Sequence, residues 1–419
     1  MEAEAIVRRC EALYADLSLG SVREWKAAHP GRPAVGLLPV YVPREIVHAA
    51  GALPVSLLGG GDQIDIVKGD ASFQSYICHL PRSMVELSLT GRLDALDGFV
   101  FPSTCDVIRN LSGIFQMTTR GKYIRYLDLP QAMDEGTGGA FYRRDLVALA
   151  AEIARLAGRE APGDEALAES IRRYDRNRRA IAALWAVRAG APWLVALDET
   201  YLLMRAGAVL PVEAHTELVE AYTAAVAGRA RKPEDRIRVV VVGAFCEQPP
   251  LGLLRTLERS GCYVVDDDLF LGARWVEGDV LALEEGRGSV AEESAAPVDG
   301  PKGGPHGPPG SDGGGDPYGA LARAYIGKSL VASTRYQPDG RRGEDLVRRV
   351  RALKADGVVF AAPSFCDPAL LDQPPLQKSL SEANIPFITF KYAENTGQFQ
   401  SIREQAGTFS DSIKLWGEA

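Results

Sequence analysis

Two segments of this chain, far apart in sequence, repeat one phrase, and each copy ends in a cysteine. The first reads Asp97-Gly-Phe-Val-Phe-Pro-Ser-Thr-Cys105-Asp106, and the second Asp356-Gly-Val-Val-Phe-Ala-Ala-Pro-Ser-Phe-Cys366-Asp367. In both, a helix ends in Gly, a short apolar run predicts a buried strand, and Pro-Ser-x-Cys-Asp opens the next helix. Each cysteine is therefore expected just past the carboxyl end of a strand. Open parallel α/β sheets bind ligands at that place, and the backbone N–H groups and dipole of a helix N-terminus favour an anion there. A thiolate-ligated metal cluster is such an anion.

The surrounding pattern extends the repetition. A strand over 33–42, a helix over 44–50, Gly51 and a strand over 53–58 open the first unit. A strand over 237–245, a helix over 251–260, Gly261 and a strand over 263–267 open the second with the same device. The first unit adds a helix near 81–90, a strand over 98–103, a helix after Cys105 and a strand over 122–129. The second adds helices near 317–328 and 344–355, a strand over 358–362, a helix after Asp367, a strand over 385–392 and a last helix. Strands alternating with helices imply crossover connections, so the expected fold is α/β, with two tandem Rossmann-like parallel-sheet domains. The boundaries read as 1–142 for the first domain, with Cys78 and Cys105, and 236–419 for the second, with Cys366. Between them, 143–235 is rich in Ala, Leu, Glu and Arg at helical spacing and is expected to link or brace the two sheets. The stretch 286–317 is too rich in Gly and Pro to bury an apolar face, and is expected to be a flexible insertion that a partner chain could order.

With 419 residues, 46% of them hydrophobic, the chain can bury more than one core. A net charge of −8 with no basic stripe argues against nucleic acid and against an anionic membrane surface. No apolar run is long enough to span a bilayer, and the N-terminus has neither a basic nor an apolar leader region, so a cytoplasmic location is expected. Six cysteines are too sparse for a disulfide scaffold, and a reducing compartment would leave them available for metal or catalysis.

Cys78, in Tyr76-Ile-Cys-His-Leu-Pro81, also stands just ahead of a helix, whose first turn accepts Pro81. Any single one of Cys78, Cys105 and Cys366 could simply fill core space. If the two units face each other across a pseudo-twofold, however, Cys105 and Cys366 converge and Cys78 can complete a triangle. Three thiolates with an open fourth position suit a [4Fe–4S] cluster whose unique iron takes a non-protein ligand. Zinc is also compatible with three thiolates. The spacings match no local finger or ferredoxin pattern.

These residues resemble the cluster subunits of the 2-hydroxyacyl-CoA dehydratase and benzoyl-CoA reductase family over nearly the whole chain, apart from the Gly/Pro insertion. The resemblance rests on Tyr41-Val-Pro-Arg-Glu-Ile-Val-His-Ala-Ala-Gly-Ala-Leu-Pro-Val55, Tyr76-Ile-Cys78, Pro102-Ser-Thr-Cys-Asp106, and Phe365-Cys-Asp-Pro368 followed by Ile385-Pro-Phe. Cys105-Asp-Val-Ile-Arg-Asn-Leu111 and Gly243-Ala-Phe-Cys-Glu-Gln-Pro-Pro250 with Asp266-Asp-Asp268 look like the B subunit of the ATP-dependent reductase branch. The resemblance implies a [4Fe–4S] cluster on Cys78, Cys105 and Cys366. It also implies an anaerobic setting, a homologous second cluster-bearing subunit, and a separate ATP-hydrolysing iron–sulfur activator, with ferredoxin as the source of low-potential electrons. The implied acceptor is an aromatic acyl-CoA such as benzoyl-CoA, reduced at the ring to a cyclic dienoyl-CoA. No P-loop Gly-x4-Gly-Lys-[Ser/Thr] occurs, so the ATP chemistry belongs to another chain.

Other residues stand as candidates for the substrate or cluster environment. Cys246, with Glu247 and Gln248 beside it, follows the opening strand of the second unit as Tyr41 follows that of the first; a structural turn is the plainer reading of Cys246. Gly59-Gly-Gly61 could let backbone approach a phosphate or the cluster, or form an ordinary turn. His79 and Arg82 could tune the cluster or form salt bridges. Asp106 and Asp367 are expected to cap their helices, and Cys10 and Cys262 to be core residues. Three function classes stay open: an oxidoreductase subunit acting on CH–CH groups of an aromatic acyl-CoA, a 2-hydroxyacyl-CoA dehydratase (lyase) subunit, and a non-catalytic electron-relay or scaffold subunit. A zinc protein is a fourth.

Overall fold

The computed structural model describes residues 2–38, 40–244, 249–269, 274–281, 315–330, 333–335, 341–393 and 399–416. Cys246, Glu247 and Gln248, and the expected insertion over 286–317 up to its last three positions, lie outside the described residues.

Eight strands form two all-parallel sheets. The first holds β1 (Ala34–Leu37), β2 (Leu53–Ser56), β3 (Gly98–Pro102) and β4 (Tyr123–Leu127) in the order β2-β1-β3-β4. The second holds β5 (Ile237–Val242), β6 (Cys262–Asp267), β7 (Gly357–Pro363) and β8 (Phe387–Tyr392) in the order β6-β5-β7-β8. The α/β class with two Rossmann-like sheets expected from the sequence is the observed one. β1, β3 and β7 are buried along their whole length, which is why they read as continuous apolar runs. In each sheet the chain builds outward to one side, returns to the middle, and builds to the other. The order therefore reverses between β1 and β3, and again between β5 and β7, creating a ligand-binding crevice at each reversal.

The repeated Asp-Gly pair has a mechanical reason. The Asp97 carboxylate accepts the N–H of Ala34 (2.8 Å) and the Asp356 carboxylate that of Arg238 (2.6 Å), so each ties the start of one central strand to its neighbour. A Cβ on Gly98 would come within 2.8 Å of the Tyr123 side chain, and one on Gly357 within 2.7 Å of Phe409. The two copies solve one packing problem twice.

Element bounds differ from expectation mainly at strand ends. β1 stops at Leu37, and Tyr41 takes a left-handed backbone (φ 66°) that no strand can continue through. Two helices, Ala3–Ala15 and Gly20–Ala28, precede the ladder of elements inferred from the sequence. The helices Ala140–Leu156, Asp164–Gly190, Leu197–Ala206 and Val212–Val226 lie between the sheets in the chain.

The long helix Asp164–Gly190 grips both units. Near its middle, Arg178 pairs with Asp175 and with Glu45 of the β1–β2 crossover helix (both 2.6 Å), and Ser170 donates to the Glu45 carbonyl (2.8 Å). Near its end the fully buried Arg188 pairs with Asp267 (2.6 Å) and donates to the Val264 carbonyl (2.7 Å), both on β6. The helix Pro317–Lys328 packs into the core of the first sheet although it follows β6 in the chain; Tyr325 meets Tyr142 (4.9 Å) and Tyr41 (5.4 Å) there.

Gly357→Ala should overpack the β7 junction and cost about 1–3 kcal/mol, seen as a lowered denaturation midpoint. Asp267→Asn, which leaves the Arg188 charge buried without its partner, should cost more, about 3–5 kcal/mol in the same measurement.

Candidate functional site

Both crevices open on the same side, and one cavity of about 910 Å³ receives residues from each. Cys78, Cys105 and Cys366 all line it. Each is the N-cap residue of a helix: Cys78 of His79–Leu89, Cys105 of Asp106–Thr118 and Cys366 of Asp367–Glu382. This corrects the expectation for Asp106 and Asp367. Those aspartates are the first helical residues, where they still complement the dipole, while the cap positions belong to the cysteines.

Each thiol is held by a different device. Cys105 follows β3, whose end is closed by Ser103, its N–H donating to Leu127 O (2.9 Å) and its Oγ accepting Leu129 N–H (2.8 Å). Burial pushes the Cys105 thiol up, while the N–H groups of Ile108 and Val107 favour its thiolate without completing a capping bond. Cys366 follows β7 and is buried among Ala244, Ala362 and Ala369. Cys78 ends a loop anchored by Glu86, whose carboxylate accepts the N–H groups of Val67 (2.9 Å), Lys68 (2.5 Å) and Gly69 (2.9 Å). Burial of Glu86 opposes its charge, but those three donors hold its carboxyl below the ordinary range.

The remaining wall is mixed. Arg335 donates to the carbonyls of Ser329 (2.6 Å) and Ile326, and meets no carboxylate among the described residues. Arg342 pairs with Asp372 (2.6 Å), a carboxyl that burial pushes up to about 6 against the pull of that arginine. Tyr76, Phe365 and Leu371 add apolar surface. Thr334, Arg335 and Arg342 belong to no motif in the sequence, and only the fold shows that they share the cavity. Among the described residues, no three His, Cys, Asp or Glu side chains stand close enough to grip one metal ion. The three thiols share the lining of this one cavity.

The other candidates have plainer places. Tyr41 is wholly buried beneath the site, its ring edge-on to Trp275 (5.9 Å) and its carbonyl accepting the Tyr142 hydroxyl (2.5 Å). Gly59 has a left-handed backbone (φ 70°) beside Ser83, whose Oγ accepts the Gly60 N–H (3.3 Å), Arg82 pairs with Asp70 (2.9 Å), and His79 is buried. Cys10 and Cys262 are core residues, their thiols pushed up to about 12 by burial.

The family profile described as 2-hydroxyglutaryl-CoA dehydratase, D-component, matches residues 39–299 and 304–413. The chain belongs to that family. Within the dehydratase D-component family it is 45% identical to a benzoyl-CoA reductase subunit of Thauera aromatica over 417 residues, covering 99% of this chain and all of the relative. It is 24% identical to the (R)-phenyllactyl-CoA dehydratase beta subunit of Clostridium sporogenes, covering 91% and 92% of the two chains. It is also 24% identical to the (R)-2-hydroxyglutaryl-CoA dehydratase beta subunit of Acidaminococcus fermentans, covering 91% and 93%. The reductase relative carries the letter C where the motifs suggested B. No helix among the described residues is long and apolar enough to cross a membrane.

In metal-free protein, Cys105 should be alkylated by iodoacetamide at pH 8 more slowly than an unperturbed thiol, with a rate still rising above pH 9; peptide mapping against time checks this.

Proposed function

We propose that this chain is the iron–sulfur subunit of an ATP-dependent reductase that delivers low-potential electrons to the ring of an aromatic acyl-CoA, benzoyl-CoA foremost. The observation that carries the reading is the meeting in one cavity of three cysteines, drawn from both units, in a chain 45% identical to a benzoyl-CoA reductase subunit. Cys78, Cys105 and Cys366 are assigned as ligands of a [4Fe–4S] cluster. Their donor chemistry fits: thiolates are the ligands such clusters take, each binding a different iron.

When bound, the cluster supplies one-electron transfer at low potential. The chain's own residues prepare the place for it. Each thiol stands at a helix N-cap, where the positive end of the helix dipole favours a thiolate and any anionic group it holds. The alanines around Cys366 keep water from one thiol, and Arg335 contributes a positive charge in a wall of reduced dielectric. The chain has no P-loop, so the reading requires a separate ATP-hydrolysing activator, supplied by ferredoxin, and a homologous second cluster subunit. A cytoplasmic, anaerobic setting completes it.

The test is oxygen-free purification of the chain with its co-purifying partners, followed by iron, sulfide and EPR measurements. We expect about four iron and four sulfide per chain, with that content lost in Cys105→Ser and in Cys366→Ser, and ATP-dependent conversion of benzoyl-CoA to a diene. Full iron in either variant overturns the ligand assignment. Dehydration of a 2-hydroxyacyl-CoA with no net electron uptake would place the chain with its dehydratase relatives instead.

A further inference from the structure

The two copies of the repeated phrase differ at the residue before the cysteine: the first has Thr104, the second Phe365. The difference reaches the backbone. Phe365 is left-handed (φ 66°), a conformation bulky side chains rarely adopt, whereas Thr104 is not. Burial does not explain it, because Phe365 is 50% exposed and faces the cysteine cavity instead of the core. Strain kept without a packing return marks a position held for another purpose. Tyr76, two residues ahead of Cys78, is 63% exposed and lines the same cavity. Two aromatic side chains thus stand in solvent beside two of the three thiols, each fixed to the segment that carries its cysteine.

We propose that Phe365 and Tyr76 form the subsite that receives the aromatic ring of the acyl-CoA, making this subunit a determinant of specificity for aromatic over saturated acyl groups. The inference rests on the acyl-CoA reading above and adds the residues that contact the ring. A cavity of about 910 Å³ lies within the range of organic-ligand sites. Aromatic rings attract one another in offset or edge-on contact beyond what buried area provides, and a saturated ring gains none of that. Leu371, also exposed on the helix after Cys366, supplies apolar contact that does not distinguish the two. A concave, thiol-lined cavity favours a small ring as occupant over the surface of a protein.

The test uses the co-purified complex and two ligands sharing the CoA and thioester, benzoyl-CoA and cyclohexanecarbonyl-CoA. Phe365→Leu and Tyr76→Leu, on separate segments, each keep an apolar side chain. Each variant should weaken benzoyl-CoA binding by about three- to tenfold, leave cyclohexanecarbonyl-CoA within about twofold, and leave iron content and complex size unchanged. Equal weakening of both ligands, or no change in either, overturns the subsite. Dissociation of the complex in either variant overturns it too and assigns the rings to the subunit contact. If the wild-type complex binds neither acyl-CoA, the acyl-CoA reading itself fails, and this is seen before any variant is compared.

Discussion

Everything at the cysteine cavity depends on how one helix is held. Asp164–Gly190 carries Arg178 to the crossover helix of the first unit and Arg188 to β6 of the second, and both guanidiniums are buried or nearly so. A buried charge without its partner is far more costly than a lost surface pair, so these contacts resist sliding. Apolar packing alone tolerates small shifts of one layer over another; a buried arginine with fixed carboxylate and carbonyl partners does not. The helix therefore fixes the separation and the facing of two sheets whose carboxyl edges must look into the same space.

Given that facing, the convergence of cysteines follows from topology. Each sheet reverses its order beside its central strand, and each repeated phrase ends where the reversal opens the crevice. A cysteine at that point becomes a helix N-cap without special arrangement, with the first N–H groups of the helix behind it. The third, Cys78, comes from outside the sheet frame and needs its own anchor, the Glu86 carboxylate under the loop at Val67–Gly69. Two of the cysteines are thus placed by the fold itself and the third by an addition to it.

Much of this was legible in the sequence because the relevant signals are local. Apolar runs closed by Gly, and Pro-Ser-x-Cys-Asp after them, specify strand and helix without knowledge of the partner unit, and they match Cys105 with Cys366; Cys78 joined them through its place ahead of a helix and through the family resemblance. What was not legible depends on distance in space. Nothing near Arg335 or Arg342 announces a cavity wall, and the left-handed backbone at Phe365 has no marker in the letters around it. The assignment of caps to Asp106 and Asp367 went wrong by one residue: aspartate is the usual cap, but here the helices begin immediately after the cysteines. The shortened β1 has a similar origin, since an apolar run does not reveal where its backbone turns.

The helix Pro317–Lys328 gives the molecule a particular order of construction. Its Tyr325 fills the first core beside Tyr41 and Tyr142, yet it leaves the ribosome only after the first sheet, the long helix and half of the second sheet have been made. A domain usually folds as soon as its own residues emerge. Here an aromatic place in the first core is filled only by a segment that follows β6. A cut between the two units would therefore part Tyr325 from the core it fills, so the boundary between the sheets in sequence is not a boundary between their cores.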